Sequence, residues 1–223
     1  MSLEAFRTDG FALVPGVLAA NECRLLAEGL GTRSAGTRCL LQNAWCAELA
    51  SRLRAHTGLT TLIPADHVAV QCTLFEKSAE QNWLVPVHQD LSIPVAERVA
   101  APGLSGWSEK EGMIFVQAPV AILEQLVAVR LHLDRCGPDD GPLRLIPGTH
   151  RQGCLEPELA VSVRQARGES SCEAESGDAL VMRPLLLHAS SKSRGSSTSR
   201  RRVLHFVFAP RQLTHGLRWQ QAF

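Results

Sequence analysis

Apolar positions in the first 60 residues recur at three- and four-residue intervals; beyond residue 60 they alternate or run in short blocks. The first pattern is that of helices buried along one face, the second that of strands. FALVPGV (11–17) reads as a short strand and turn within the helical portion. NECRLLAEGL (21–30) predicts a helix with Asn21 as its N-cap, and AWCAELASRLRAHTGL (44–59) predicts another that ends at a glycine. The blocks that follow, HVAVQCTLF (67–75), WLVPVHQDL (83–91), MIFVQAPV (113–120), QLVAVRLHLD (125–134), PLRLIP (142–147), DALVM (178–182) and RVLHFVFA (202–209), are β-rich and bounded by Gly, Pro or Asp. Short strands joined by irregular loops predict a sandwich or barrel. Residues 92–112, with Gly103, Gly106 and Trp107, read as one long loop, and SSKSRGSSTSR (190–200) as a polar one. The organisation expected is a single domain: a mostly helical portion over 1–60, a β core over 61–210 and a tail over 211–223.

Composition narrows the function classes. Apolar residues are 45% of the 223, enough for a sizeable core, and the formal net charge is only +1. No global field therefore favours nucleic acid or a membrane surface. No long apolar run and no leader pattern is read, so a cytoplasmic protein without a membrane partner is expected. The seven cysteines form no CxxC pair, which argues for reduced thiols rather than a disulfide framework or a zinc ribbon. Oligomeric state is not legible.

One stretch carries chemistry. In VPVHQDL (85–91) an imidazole and a carboxylate stand two residues apart within a strand-like run, so His88 and Asp90 share a face. About a hundred residues later GDALVMRPLLLHAS (177–190) ends an apolar run on His188. Two histidines and a carboxylate make the facial set of non-haem Fe(II) oxygenases, which leaves positions open for a 2-oxo acid and O2. A 2-oxoglutarate co-substrate also needs its far carboxylate held, and the planar fork of arginine suits that task. SRRRVLH (199–205) offers candidates. Strand alternation groups Arg201, Val203 and His205 on one face and Arg202, Leu204 and Phe206 on the other, without choosing the inward one. A solvated basic edge or an RNA-binding patch is the competing reading of that run, and no aromatic platform accompanies it.

HQD at 88–90, GPLRLIPGTH at 141–150, GDALVMRPLLLHAS at 177–190 and RRVLHFVFA at 201–209 together resemble the phytanoyl-CoA dioxygenase family of Fe(II)/2-oxoglutarate-dependent oxygenases. DGFALVPGVL (9–18) is similar to the family's entry segment. The resemblance implies a mainly β (α+β) fold: a double-stranded β-helix, or jelly roll, with N-terminal helices packed on it. It implies His88, Asp90 and His188 as iron ligands and as the catalytic set, Arg201 as the anchor of 2-oxoglutarate, and Ser190 as its support. Lys77, Trp107 and His132 resemble positions near the co-substrate or substrate. Gly141-Pro142 and Pro147-Gly148 read as turn chemistry, and Asp178 as part of the turn before its strand.

The function implied is a dioxygenase that hydroxylates a small molecule, with Fe(II), 2-oxoglutarate and O2 as its reaction partners. In related halogenases a small residue stands at the position of Asp90, so a hydroxylase is expected. Two rivals remain: a cupin-like protein that binds metal or a small ligand without turnover, and a cupin enzyme that uses metal without 2-oxoglutarate.

Overall fold

Two antiparallel sheets face each other, and the larger one is covered on its outer side by helices. The computed structural model describes residues 3–30, 36–78, 80–194 and 200–223. The N-terminal portion holds α1 (Leu3–Asp9), β1 (Phe11–Val14), α2 (Ala20–Leu30), β2 (Gly36–Thr37) and α3 (Ala44–Ala55). β3 (His67–Lys77), β4 (Val85–His88), β5 (Ser92–Val95), β6 (Ser105–Lys110) and β7 (Met113–Gln117) follow. Then come α4 (Val120–Leu123), β8 (Val127–His132), β9 (Leu143–Leu145), α5 (Pro157–Arg167) and β10 (Ser170–Cys172). β11 (Ala179–Met182), β12 (His188–Ser190) and β13 (Arg201–Pro210) complete the chain order. The major sheet runs β1-β11-β8-β13-β3-β2, the minor sheet β10-β9-β12-β4, and β5-β7-β6 form a third. This is the jelly-roll architecture expected. Among the described residues no helix is long and apolar enough to cross a membrane.

The strands of the major sheet are buried on both faces, and the period of two divides their side chains between two cores. Leu204, Phe206 and Phe208 of β13 and Val127, Val129 and Leu131 of β8 pack outward against Cys23, Ala27, Leu49 and Leu53 of the helices. Each fully buried Leu or Phe there contributes about 1.5–3 kcal/mol. The alternate positions point between the sheets. Ala128, Leu180 and Met182 meet Leu143 and Leu145 in an apolar cluster. Further along, the inward positions become buried polar groups: Arg130, His132, Arg201 and His205. One half of the space between the sheets is thus a dry core, and the other half is built for chemistry.

Several expectations are corrected. Residues 92–112 are not one long loop: β5 and β6 occupy nearly half of that stretch, and both hydrogen-bond to β7. Local pattern hid them because Pro94, Gly103 and Gly106 read as breakers, while pairing with β7 supplies the order. Asn21 lies inside α2, which begins at Ala20; the amide of Ala19 is met instead by the Glu22 carboxylate at 3.4 Å. α5 and the three-residue β12 carried no clear period. The polar loop over 190–200 lies partly outside the described residues. The last residues are tied in, since Phe223 N donates to Ala69 O and Trp219 bridges Val95.

Asp178 does belong to its turn, and also staples the entry segment: its two oxygens accept from Gly16 N and Glu175 N, each at 2.9 Å. At Gly177 (φ 92) an added Cβ would sit 1.9 Å from Leu18 O, so only glycine lets the two segments approach.

Candidate metal and co-substrate site

β12 lies between β9 and β4 in the minor sheet, and its register sets His188 directly opposite His88. β4 ends at His88, and the chain then turns so that Asp90 N donates to Pro184 O at 2.9 Å. This bend carries the carboxylate back between the two imidazoles. His88 Nε2 lies 3.7 Å from Asp90 Oδ1, and His188 Nε2 lies 3.7 Å from Asp90 Oδ2. One ligand atom from each of the three falls within 4.8 Å of the others. Adjacent ligands of a six-coordinate ion with bonds near 2.1 Å stand about 3 Å apart, so a small contraction onto a cation completes one face.

The surroundings prepare the donors. His88 Nδ1 donates to Pro86 O and His188 Nδ1 to Leu186 O, each at 2.9 Å. A hydrogen on Nδ1 leaves Nε2 with its lone pair facing the site. Burial, outweighing the nearby carboxylate, lowers His188 to about 4, so it is neutral near pH 7 as a metal ligand must be. For Asp90, burial by itself would raise the carboxyl, but His188, His205, His88 and Arg130 together hold it below its ordinary value.

Gln89, between the two ligands, was not singled out by its sequence. Its side chain points away from the metal position, donating to Gly153 O at 2.8 Å and Leu185 O at 2.7 Å and accepting from Leu155 N at 2.8 Å. Thr149 does the same on the other side: its hydroxyl donates to Ile146 O and accepts from Leu187 N, adjacent to His188. These clamps fix the backbone on which the ligands stand.

His205 was also missed as a site residue, although its strand face was anticipated. Arg130 Nη1 lies 3.1 Å from His205 Nδ1. A guanidinium only donates, so Nδ1 accepts and the ring hydrogen sits on Nε2, which faces Asp90 Oδ2 at 3.9 Å. His205 therefore supports the carboxylate and is not a third nitrogen ligand.

A narrow cavity of about 90 Å3 leads from the triad to Ser190 and Arg201. Arg201 is buried, its Nη1 donates to Gly141 O, and its Nε has no partner. Gly141 is accordingly more than turn chemistry: an added Cβ at its φ of 66 would lie 2.5 Å from Ser191 O, closing the wall that receives Arg201. Lys77 is buried rather than a surface lysine, donating to Ser190 Oγ at 2.8 Å and to Ser191 O. Burial first, and then the Arg201 charge, lower it to about 7. His132 is buried with Nδ1 unpartnered, and burial followed by Arg130 and Arg201 lowers it to about 3. The unmet Nε donors of Arg130 and Arg201 on this one cavity suit an acceptor-rich anion, which is what 2-oxoglutarate would be.

Trp107 is not brought to the triad. It lies on β6, packs against a separate cluster that includes Val95 and Val116, and sets its ring 5.7 Å from the Arg98 guanidinium. The strand pairing of β6 aims it there. Arg202 faces the other way from Arg201 and is not exposed; it is paired with Asp134 through Nε and Nη2, each at 2.8 Å. Arg200 is exposed and lies 3.6 Å from the buried Glu76. On the outer side of the triad a cavity of about 260 Å3 is lined by Arg38, Gln71, Thr73, Lys110, Phe115 and His205.

Solved structures share this fold. HygX from Streptomyces hygroscopicus, solved with nickel and 2-oxoglutarate bound, superposes with a TM-score of 0.63 at 18% identity, covering 94% of this chain and 87% of that one. AviO1 from Streptomyces viridochromogenes Tue57 gives a TM-score of 0.62 at 22% identity over 92% of each chain. EctD from S. alaskensis in its apoform gives 0.64 at 16% identity over 94% of this chain and 77% of that one. At such identities the likeness is one of fold. No curated protein matches the chain. The family model described as Phytanoyl-CoA dioxygenase (PhyH) spans residues 6–203, reaching from the entry strand through all three triad residues to Arg201. By that span the chain belongs to the phytanoyl-CoA dioxygenase family and is a non-haem Fe(II)/2-oxoglutarate-dependent oxygenase.

Proposed function

We propose that this oxygenase hydroxylates a small molecule, with His88, Asp90 and His188 holding Fe(II) and Arg201 holding the distal carboxylate of 2-oxoglutarate. When bound, metal and co-substrate supply activation of O2 coupled to decarboxylation of 2-oxoglutarate to succinate and CO2. The chain binds, orients and shields. Ser190 and Lys77 line up beside Arg201 so that three donors converge on one carboxylate, and the buried strands around them exclude water. Asp90 supplies the negative ligand that offsets the cation's charge and keeps a halide out of its position. The outer cavity receives the molecule to be oxidised, and HygX, solved with hygromycin B in addition to nickel and 2-oxoglutarate, is a precedent for a small-molecule occupant. His132, buried near Arg130 and Arg201, shapes the site from behind, and Trp107 braces β6 against the neighbouring apolar cluster rather than touching co-substrate. Seven unbridged cysteines support a reducing, cytoplasmic setting.

One observation carries the reading: the triad and a buried arginine with a free Nε line the same narrow cavity. The test is succinate release from 2-oxoglutarate across pools of small molecules, with and without Fe(II). Release that needs iron and is stimulated by a pool member, with one labelled oxygen atom from O2 in the product, is the expected result. Metal binding without succinate in any pool would leave a binding protein. Turnover with metal but without 2-oxoglutarate would leave a cupin-type enzyme of another kind.

A further inference from the structure

We propose that Arg130 is a second carboxylate anchor for the 2-oxo acid, gripping the end nearest the metal while Arg201 grips the far end. The proposal rests on the reading of the site given above and adds a residue to it.

Arg130 stands on β8 at an inward position, and its register partner on β13 is His205. Two residues earlier the same face carries Ala128, which belongs to the apolar core. An apolar side chain at position 130 would have extended that core, and burying a cation there instead requires a counter-group. Arg130 and Arg201 are only 6% and 4% exposed, and both line the narrow cavity with Asp90 and His188.

The two guanidinium groups are arranged alike. Each commits Nη1 to a protein acceptor, Arg130 to His205 Nδ1 and Arg201 to Gly141 O. Each keeps a buried Nε without a partner. On each, the unpartnered Nε belongs to the Nε–Nη2 edge, a pair of parallel donors that fits the two oxygens of a carboxylate; the Cys136 thiol also stands beside the Arg201 guanidinium. Asp90 does not fill that role for Arg130, because its oxygens are turned to the Nε2 atoms of His88, His188 and His205. Two unpartnered Nε donors on one cavity match a ligand with two carboxylates.

Position assigns the ends. Arg130 is linked through His205 to Asp90, so it stands on the metal side. Arg201 precedes His205 by four residues on β13, roughly 13 Å along an extended strand; it shares the cavity with Ser190 and is the register partner of Lys77 on β3, which donates to Ser190 Oγ. A chelating 2-oxo acid presents its first carboxylate at the metal and its second toward Arg201. Arg130 thereby neutralises and orients the carboxylate that is to be lost as CO2.

Calorimetric titration of Mn(II)-loaded protein tests this with two ligands of equal length, 2-oxoglutarate and 2-oxovalerate, the second lacking the far carboxylate. Arg130→Gln should weaken both by a similar factor, roughly 10- to 100-fold, as expected for lost hydrogen bonds to a charged group. Arg201→Gln should weaken 2-oxoglutarate and leave 2-oxovalerate unchanged. Mn(II) affinity, measured separately, should hold in Arg130→Gln. Arg130→Lys keeps a cation without the fork and should show the same parallel loss, smaller in size; it carries the comparison if the glutamine variant does not fold. Wild-type affinity for 2-oxovalerate in both Arg130 variants overturns the proposal. So does a loss that only follows weakened Mn(II) binding, which would make Arg130 a support for His205 and Asp90. Wild-type protein that binds Mn(II) but neither 2-oxo acid would overturn the co-substrate reading itself, a failure visible before any variant is made.

Discussion

His88 and His188 are register partners across β4 and β12, with ring centroids 4.2 Å apart, although a hundred residues separate them in the chain. A β ladder enforces that approach, and Asp90 reaches the same point only because the chain bends after β4 to donate to Pro184 O. The metal site is thus a product of strand pairing plus one turn.

Asp90→Ala should abolish turnover and weaken divalent metal binding by more than about 100-fold, since even groups that merely support a ligand cost 10- to 100-fold. Metal titration followed by succinate release measures both. Wild-type turnover in this variant would remove the facial triad from consideration.

Gln89→Ala should act without touching the metal. It strands Gly153 O, Leu185 O and Leu155 N, whose partners it supplies, and should cost about 2–3 kcal/mol of unfolding free energy. Metal affinity should fall as well, because the bend carrying His88 and Asp90 loosens. Denaturant unfolding with a parallel metal titration checks the pairing of effects; an unchanged midpoint would show that the clamp carries no weight.

Arg201 and Arg202 should separate cleanly. Arg201→Ala removes the proposed carboxylate anchor and should weaken 2-oxoglutarate by roughly 3–5 kcal/mol. Arg202→Ala breaks the two-point pair with Asp134 and the bond to Ala27 O, so it should lower stability by about 1–3 kcal/mol while co-substrate affinity holds. An Arg202 variant with normal stability and poor 2-oxoglutarate binding would shift the register of β13 by one residue.

Lys77 should make co-substrate binding pH-dependent. Its folded value, about 7, lies below the ordinary 10.5. Between those values the unfolded chain holds a proton that the folded chain has released, so ligand-free stability should rise with pH through that window. A dianion beside Lys77 favours the charged ammonium, so 2-oxoglutarate should bind with proton uptake above about pH 7 and bind more weakly as pH rises further. Calorimetry in buffers of different ionisation enthalpy reads the uptake directly. Lys77→Met should remove it.

The sequence by itself determined the local grammar and the chemical inventory. Period-two runs marked most major-sheet strands, His-x-Asp and the late His188 named a donor set, and alternation along β13 grouped Arg201 with His205. These features were legible because each depends on a few adjacent residues. Tertiary structure decided what depends on partners distant in the chain. β5 and β6 are strands because β7 offers them hydrogen bonds, against the local signal of Pro94, Gly103 and Gly106. Gln89 became a clamp when residues 153–155 and 185 packed beside it. Trp107 turned to Arg98 instead of the triad, and Arg130 and His205 became part of the site because β8 and β13 lie side by side. Burial then chose the inward face that alternation alone left open, since Leu204, Phe206 and Phe208 gain more from the helices than any arginine could, and their alternates are thereby turned toward the metal.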